Sequence, residues 1–378
     1  MIGHIAKKGK KYYVVVPITD PATGEEKPKW FSGYRTKKEA ETARIEIVSK
    51  LNNNTFVLPK KLTVKEYLED WFKTYVEPNL SPTTVQGYKA NIYRHTIPYI
   101  GGIPLQQLKA ANIQEMYNTL KEKGRVDGKA GLSPTSIRYV HRVLREALQH
   151  AVKQQLIPRN IADDLTLPQV KKYRAKVYRP EEILTLLKCV KDNEYETVIY
   201  LAALLGLRRG EVLGLKWCDV DFRDKSITIQ RQLLPTSKGV IFKDPKTEDS
   251  IRRLKLSERL VDILKKEKNK QKRNKLSLGK DYKDNNLVCC HDNGEMFHPS
   301  CLSRDFAEIL KQNKLEHIRF HDLRHSLATN LLNTNTPMKV TSEILGHSNI
   351  SITMDLYSHV TADTQKNALE SLDKAVFG

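Results

Sequence analysis

No stretch of eighteen or so apolar residues runs anywhere in the 378-residue chain, so no segment is expected to cross a membrane as a helix. The N-terminus, MIGHIAKKGKKYY, is charged but lacks the apolar core of a secretory leader, so no export signal is expected. Cysteine is scarce: five residues without framework spacing suit a reducing cytoplasm better than a disulfide-stapled fold. Acidic residues are also short. Asp plus Glu number 44 against 64 Lys plus Arg, which leaves a formal charge of +20. A one-sided excess of this size favours a polyanionic partner through release of its counterions, and nucleic acid is the natural candidate.

The length calls for two or three domains. Residues 1–58 read as a small sheet-plus-helix module: KYYVVVPI (11–18) and KPKWFSGY (27–34) as strands around a DPATG turn, then a helix from Thr36. Thr36 and Glu39 make a capping box for that helix. The segment has its own basic excess, and a small sheet can lie in a DNA groove. Residues 61–165 read as all-helical. Thr63 and Glu66 form a second capping box ahead of VKEYLEDWFKTYV, and LSPTTV (80–85) and LSPTSI (132–137) each place Ser at an N-cap and Pro at the first helical position. In the helix after Ser133, Ile137, Val140, Leu144, Ala147, Leu148 and Ala151 form an apolar stripe, while Arg138, Arg142 and Arg145 line another face. Such a row is a solvated face or a track for phosphates, and the charge balance favours phosphates. PQVKKYRAKVYRP (168–180) reads as an extended basic linker. Beyond Pro180 the pattern mixes helices with a short sheet: TVIYLAALLGL as a buried helix, KSITIQRQL as a strand, GVIFKDPKTEDSIRRLKL as two strands around a polar turn, and ERLVDILKKEKNKQKRNK as an amphipathic start with a basic exposed tail. The expected fold class is therefore α+β and multidomain: a small sheet-plus-helix N-terminal module, an all-helical domain, and a mixed, mainly helical C-terminal domain with a small antiparallel sheet.

Three clusters carry chemistry. In GLRRGEVLGL, Arg208 follows an apolar helix and Glu211 stands three residues on, either a structural ion pair or a fixed cation. In HDLRH, the spacing of three puts His321 and Arg324 on one helix face, with His325 beside them. A two-histidine metal site lacks the Glu of HExxH and any third ligand, so no metal is assigned there. The third cluster is LGHSNISITMDLYSHV, with His347 and, ten residues later, Tyr357. CCHDNGEMFHPSC (Cys289, Cys290, His291, His298, Cys301) lacks the repeated short gaps of a zinc site, and its DNG points to a hairpin turn.

GLRRGE, PKT, HDLRH, LGH and a tyrosine ten residues later, in that order, resemble the tyrosine recombinases, most closely the integrases of phages and conjugative transposons. The resemblance spans essentially the full length. It implies an arm-type DNA-binding domain at 1–58, a core-binding domain at 61–165, a linker at 166–179, and a catalytic domain with a C-terminal tail helix at 180–378. It carries catalytic roles onto Arg208, Lys246, His321, Arg324, His347 and Tyr357, with Glu211 in support and Lys243 the nearest competitor of Lys246. The implied activity is integration and excision of a mobile element or prophage through a 3′-phosphotyrosine intermediate, without metal or ATP. The implied partners are double-stranded DNA at core-type and arm-type sites, three further copies of the chain in a tetramer passing through a Holliday junction, and an accessory directionality factor or host DNA-bending protein. The implied setting is the cytoplasm of a bacterial host. A dimer-resolving recombinase and a non-catalytic DNA-binding protein of the same fold are the alternatives. The extra N-terminal module argues against the first, and the filled catalytic positions argue against the second.

Overall fold

The computed structural model describes residues 3–19, 26–52, 61–125, 130–170, 175–236, 239–243 and 251–346, and near the C-terminus residues 354, 370, 372, 373, 376 and 377. The chain divides into two compact units, Met1–Lys171 and Lys172–Gly378. Among the described residues no helix is long and apolar enough to cross a membrane.

The first unit opens with an antiparallel sheet of β1 (His4–Lys8), β2 (Lys11–Thr19) and β3 (Glu26–Tyr34). Helix α1 (Lys37–Asn52) covers one face, where Val14, Val16 and Ala40 form a small core. The first strand escapes sequence reading because HIAKK holds a single β-branched residue, Ile5, and no alternation; β2 recruits it through backbone pairing such as His4 with Val15. The Thr36 capping box is in place, with the Thr36 hydroxyl accepting from the Glu39 N–H at 3.2 Å.

The helical part holds α2 (Val64–Trp71), running into a π-helical turn at Phe72–Val76, then α3 (Pro82–His95), α4 (Ala110–Lys123) and α5 (Pro134–Lys153). Thr63 and Glu66 cap α2 reciprocally, a device worth about 1 kcal/mol. Ser81 and Ser133 occupy N-caps with Pro82 and Pro134 behind them, although only the Ser133 hydroxyl accepts from the backbone, at Ser136. The whole expected stripe of α5 is buried, joined by Val143, against Trp71, Phe72, Ile92, Ile113 and Leu120.

In the second unit, α6 (Pro180–Cys189), α7 (Glu196–Leu205), α8 (Arg209–Gly214), α9 (Glu258–Leu278), α10 (Pro299–Gln312), α11 (Asp322–Asn333) and α12 (Met338–Leu345) surround two small sheets. One sheet has the order β4 (Val220–Asp221), β5 (Ser226–Ile229), β8 (Arg252–Lys255); the other is the hairpin of β6 (Gln232–Thr236) and β7 (Gly239–Lys243). Helix α7, apolar on nearly every side, lies in the core.

Three expectations change here. KSITIQRQL is two strands, β5 and the start of β6, lying in different sheets. The two strands of GVIFKDPKTEDSIRRLKL do not pair with each other: β7 returns onto β6, whereas β8 completes the sheet of β5 with Ile229 opposite Arg252. The basic end of ERLVDILKKEKNKQKRNK is mostly exposed, as expected, but it continues α9 as helix, whose first turns bury Leu260, Val261 and Leu264 in the core. The segment before Pro180 is neither helix nor strand at 175–179, and Tyr178 is a core residue: its N–H donates to Ser326 Oγ at 2.8 Å, and its hydroxyl donates to the Glu316 carbonyl.

Candidate active site

The site forms where α7 ends. Gly206 closes that helix in the left-handed region (φ +62°), and a Cβ there would fall 2.6 Å from Leu345 Cδ2, so only glycine fits. The chain then extends through Leu207 and Arg208 before α8 begins. Gly214 at the other end of α8 lets it press on β6, since a Cβ would stand 3.0 Å from the Gln232 Cα.

Arg208 is the N-cap residue of α8 and Glu211 is three residues on, so one turn brings them together. The Glu211 carboxylate accepts the Arg208 N–H at 2.9 Å and Nη1 at 2.7 Å. Arg208 Nη2 donates to the Gly346 carbonyl at the end of α12 (2.9 Å), a favoured place for a cation. Glu211 is also gripped by Arg252 of β8, with Nη2 to Oε2 at 2.8 Å and Nη1 to Oε1 at 3.3 Å. Burial alone would raise the Glu211 pKa, but the hydrogen bonds and charge of Arg252, then Arg208, hold it down to about 2.

Arg324, on α11, is 3% exposed. Its Nη1 donates to the Gly206 carbonyl at 2.8 Å, and its Nη2 is buried without a hydrogen-bond partner among the described residues. Burial, then the charge of Arg208, presses its pKa down, though not far enough to discharge it at neutral pH. His321 stands at the start of α11, open on one side, with its ring 5.0 Å from that of His325 and perpendicular to it. Partial burial, then His325 and Arg324, hold its imidazole below the ordinary range, with Asp322 opposing. Arg208 and His321 line one cleft of about 510 Å³ with Arg209, Ser303, His317 and Arg319. The geometry thus brings Arg208, Glu211, His321 and Arg324 together. Lys246, His347 and Tyr357 lie outside the described residues. Lys243 ends β7, paired with Gln232.

Sequence reasoning missed Arg252, the Arg319–Asp322 pair (2.8 Å) and the Arg209 contact to Ser303 Oγ (2.6 Å). Arg319 and Asp322 share the spacing of three that flagged Arg208 and Glu211, so that signal was available. Arg252 had none, because Glu211 and the Ile344 carbonyl, its partners, lie 41 and 92 residues away.

The arginine row of α5 is exposed, but each member is committed within its own unit. Arg138 Nε donates to the Pro168 carbonyl (2.9 Å), Arg145 pairs with Asp163 (2.6 Å), and the Arg142 guanidinium lies 4.6 Å over the Tyr139 ring. In the cysteine stretch, His291 pairs with Glu194 (2.7 Å), His298 Nδ1 accepts from the Ser300 N–H, and burial pushes the Cys290 thiol up to about 11. Among the described residues no group of three or more His, Cys, Asp or Glu is placed to hold a metal ion.

His321 sets a pH dependence. Its folded-state pKa lies below the unfolded value near 6.5, so the folded protein binds that proton less readily. The stability cost is absent above about pH 6.5 and grows as the pH falls below it. Glu211 acts in a lower window, from 4.5 down to about 2. His321→Gln is therefore expected to flatten the loss of urea stability between about pH 6.5 and 5. An unchanged slope would show that His321 titrates normally.

Comparison with known proteins defines the class, a tyrosine-type site-specific recombinase. The phage integrase family model matches residues 176–364, a phage integrase N-terminal SAM-like domain matches 63–121, and an arm DNA-binding domain matches 1–51. A tyrosine recombinase XerC-like protein of Caldanaerobacter subterraneus subsp. tengcongensis is 30% identical, over 97% of each chain. The ICEBs1 integrase of Bacillus subtilis is 25% identical over 94% of each. Among solved structures, the Tn1549 transposon integrase in complex with transposon right end DNA superposes with a TM-score of 0.69 at 23% identity, covering 82% of this chain and 99% of that one. A lambda integrase dimer bound to a COC′ core site gives 0.54 at 19% identity, over 94% of each. The chain belongs to the phage integrase family.

Proposed function

We propose that this integrase cuts and rejoins duplex DNA with Tyr357 as nucleophile, to integrate and excise a mobile element or prophage. The observation that supports it most directly is Arg324: a charged, buried guanidinium with one arm fixed on Gly206 and the other unpaired among the described residues, beside Arg208 and His321. Two arginine forks suit the non-bridging oxygens of a phosphodiester and stabilise the extra charge of a pentacoordinate phosphorane. The Tyr357 oxygen attacks phosphorus as His321, neutral at pH 7, takes the phenolic proton. The bond to the 5′-oxygen breaks, and Lys246 protonates that oxygen as it leaves. His347 donates to the phosphate. The products are a 3′-phosphotyrosyl link and a free 5′-hydroxyl, and the bond energy kept in the link is spent on rejoining.

The solved lambda integrase tetramer bound to a Holliday junction supports the same assembly here, four protomers on two duplexes. The role proposed for 1–58 is binding at arm-type sites, for 61–165 and the row Arg138, Arg142, Arg145 it is core-site binding, and an accessory directionality factor or host DNA-bending protein sets the direction. A nicked duplex that traps the covalent adduct tests the chemistry. Deleting residues 1–58 is expected to spare adduct formation at a core site while abolishing integration on complete attachment sites. Equal recombination by both proteins would favour a dimer-resolving enzyme that needs no arm.

A further inference from the structure

Arg252 sits behind the cleft and spans the motifs on either side of it. Its side chain is 11% exposed and forms no part of the cleft wall. All three nitrogens of its guanidinium are engaged: Nη1 and Nη2 on Glu211, and Nε on the Ile344 carbonyl at 3.1 Å. Its backbone is fixed by the pairing of β8 with β5. One side chain thereby ties the first residue pair of the site, in GLRRGE, to the last turn of α12, two residues ahead of His347.

The geometry points to Arg252 as a positioning residue for Arg208, which deepens the function proposed above and rests on it. A carboxylate facing one arginine takes it as a bidentate pair and uses up its fork. Here Arg252 holds both oxygens of Glu211, so the Arg208 side chain reaches that carboxylate through Nη1 alone. Arg208 Nε and the second N–H of each terminal nitrogen are not used by its anchors on Glu211 and Gly346, and the Arg208 side chain, 41% exposed, lines the cleft. Arg252 also fixes the carbonyl end of α12, where Arg208 Nη2 finds its second anchor on Gly346. Without Arg252, Glu211 closes onto Arg208 and draws its fork away from the phosphate. The adjacent Gly346 is left-handed (φ +63°), and a Cβ there would meet Arg252 Nη1 at 2.8 Å, so the α12 turn is shaped around this guanidinium.

The test uses the full-length protein, Arg252→Met and Arg252→Lys, and nicked duplexes carrying a recombination site taken from DNA flanking the gene. One set has a normal scissile phosphate and the other a methylphosphonate, which lacks one charged oxygen and so needs less cationic help. Both variants are expected to bind the duplex as wild type does and to form adducts on the normal phosphate about a hundredfold more slowly, the usual cost of a misplaced catalytic group. On the methylphosphonate the gap should shrink to within about threefold, because less transition-state charge depends on Arg208. An equal defect on both substrates, or loss of DNA binding together with loss of folding in both variants, would show a structural tie only and overturn the inference. Wild-type rates in Arg252→Met would overturn it as well. Absence of adducts from wild type itself would instead overturn the underlying reading, and the inference with it.

Discussion

Tyr357→Phe is expected to bind DNA as tightly as wild type and to lose covalent adduct formation on a nicked duplex by at least about a thousandfold, as when a catalytic nucleophile is removed. The change deletes one oxygen and leaves the +20 charge that draws the polyanion untouched. The prediction is sharp because the chain has 16 tyrosines, and six of the described ones are poor substitutes. Burial pushes the phenols of Tyr67, Tyr88, Tyr117, Tyr195 and Tyr282 well above their usual value, and that of Tyr178 up to about 12. Each is held in a core or a side-chain contact, such as Tyr67 on the Ala147 carbonyl or Tyr88 on Glu146. A nucleophile needs the opposite environment, with cations at hand to favour the phenolate. Adducts of normal yield from the Phe variant, resistant to denaturant, would assign the chemistry to another residue.

Arg324→Lys is expected to lower the rate of adduct formation about a hundred- to a thousandfold, the cost of losing one preorganised charge-stabilising group, with duplex affinity retained. The guanidinium does two things at once: Nη1 ties α11 to the Gly206 carbonyl at the end of α7, while Nη2 remains for an incoming oxygen. An ammonium is a single charge centre that cannot hold both directions with the fixed fork angle. In a site this enclosed, a lysine also tends to give up its proton. Circular dichroism and duplex binding of the variant check that the fold survives. A cleavage rate within a few-fold of wild type would make Arg324 a structural tie between α7 and α11.

The parts of this protein legible in its sequence are those whose causes lie within one or two turns of chain. Thr36 with Glu39, Thr63 with Glu66, and the Ser-Pro pairs at 81–82 and 133–134 mark helix starts because a cap needs only its own first turn. The buried stripe of α5 follows from helical spacing, and Arg208 meets Glu211 because a spacing of three spans one turn. The order of GLRRGE, PKT, HDLRH, LGH and the late tyrosine was legible in another way, as a resemblance to the tyrosine recombinases. Strand pairing was not: β7 and β8 are neighbours in sequence, but pairing through the backbone with β6 and β5 carries no local mark. The dull pentapeptide of β1 became a strand only because β2 offered it an edge. Tyr178 read as linker until Ser326 and Glu316, well over a hundred residues away, took its backbone N–H and hydroxyl. Arg252 is the clearest case. In IRRLKL it is one basic residue among three, and only the folded chain brings Glu211 and Ile344 to the same guanidinium. Spacing along the chain determines which side chains a turn can join, whereas a buried charge takes its partners from whichever distant segments the core brings beside it.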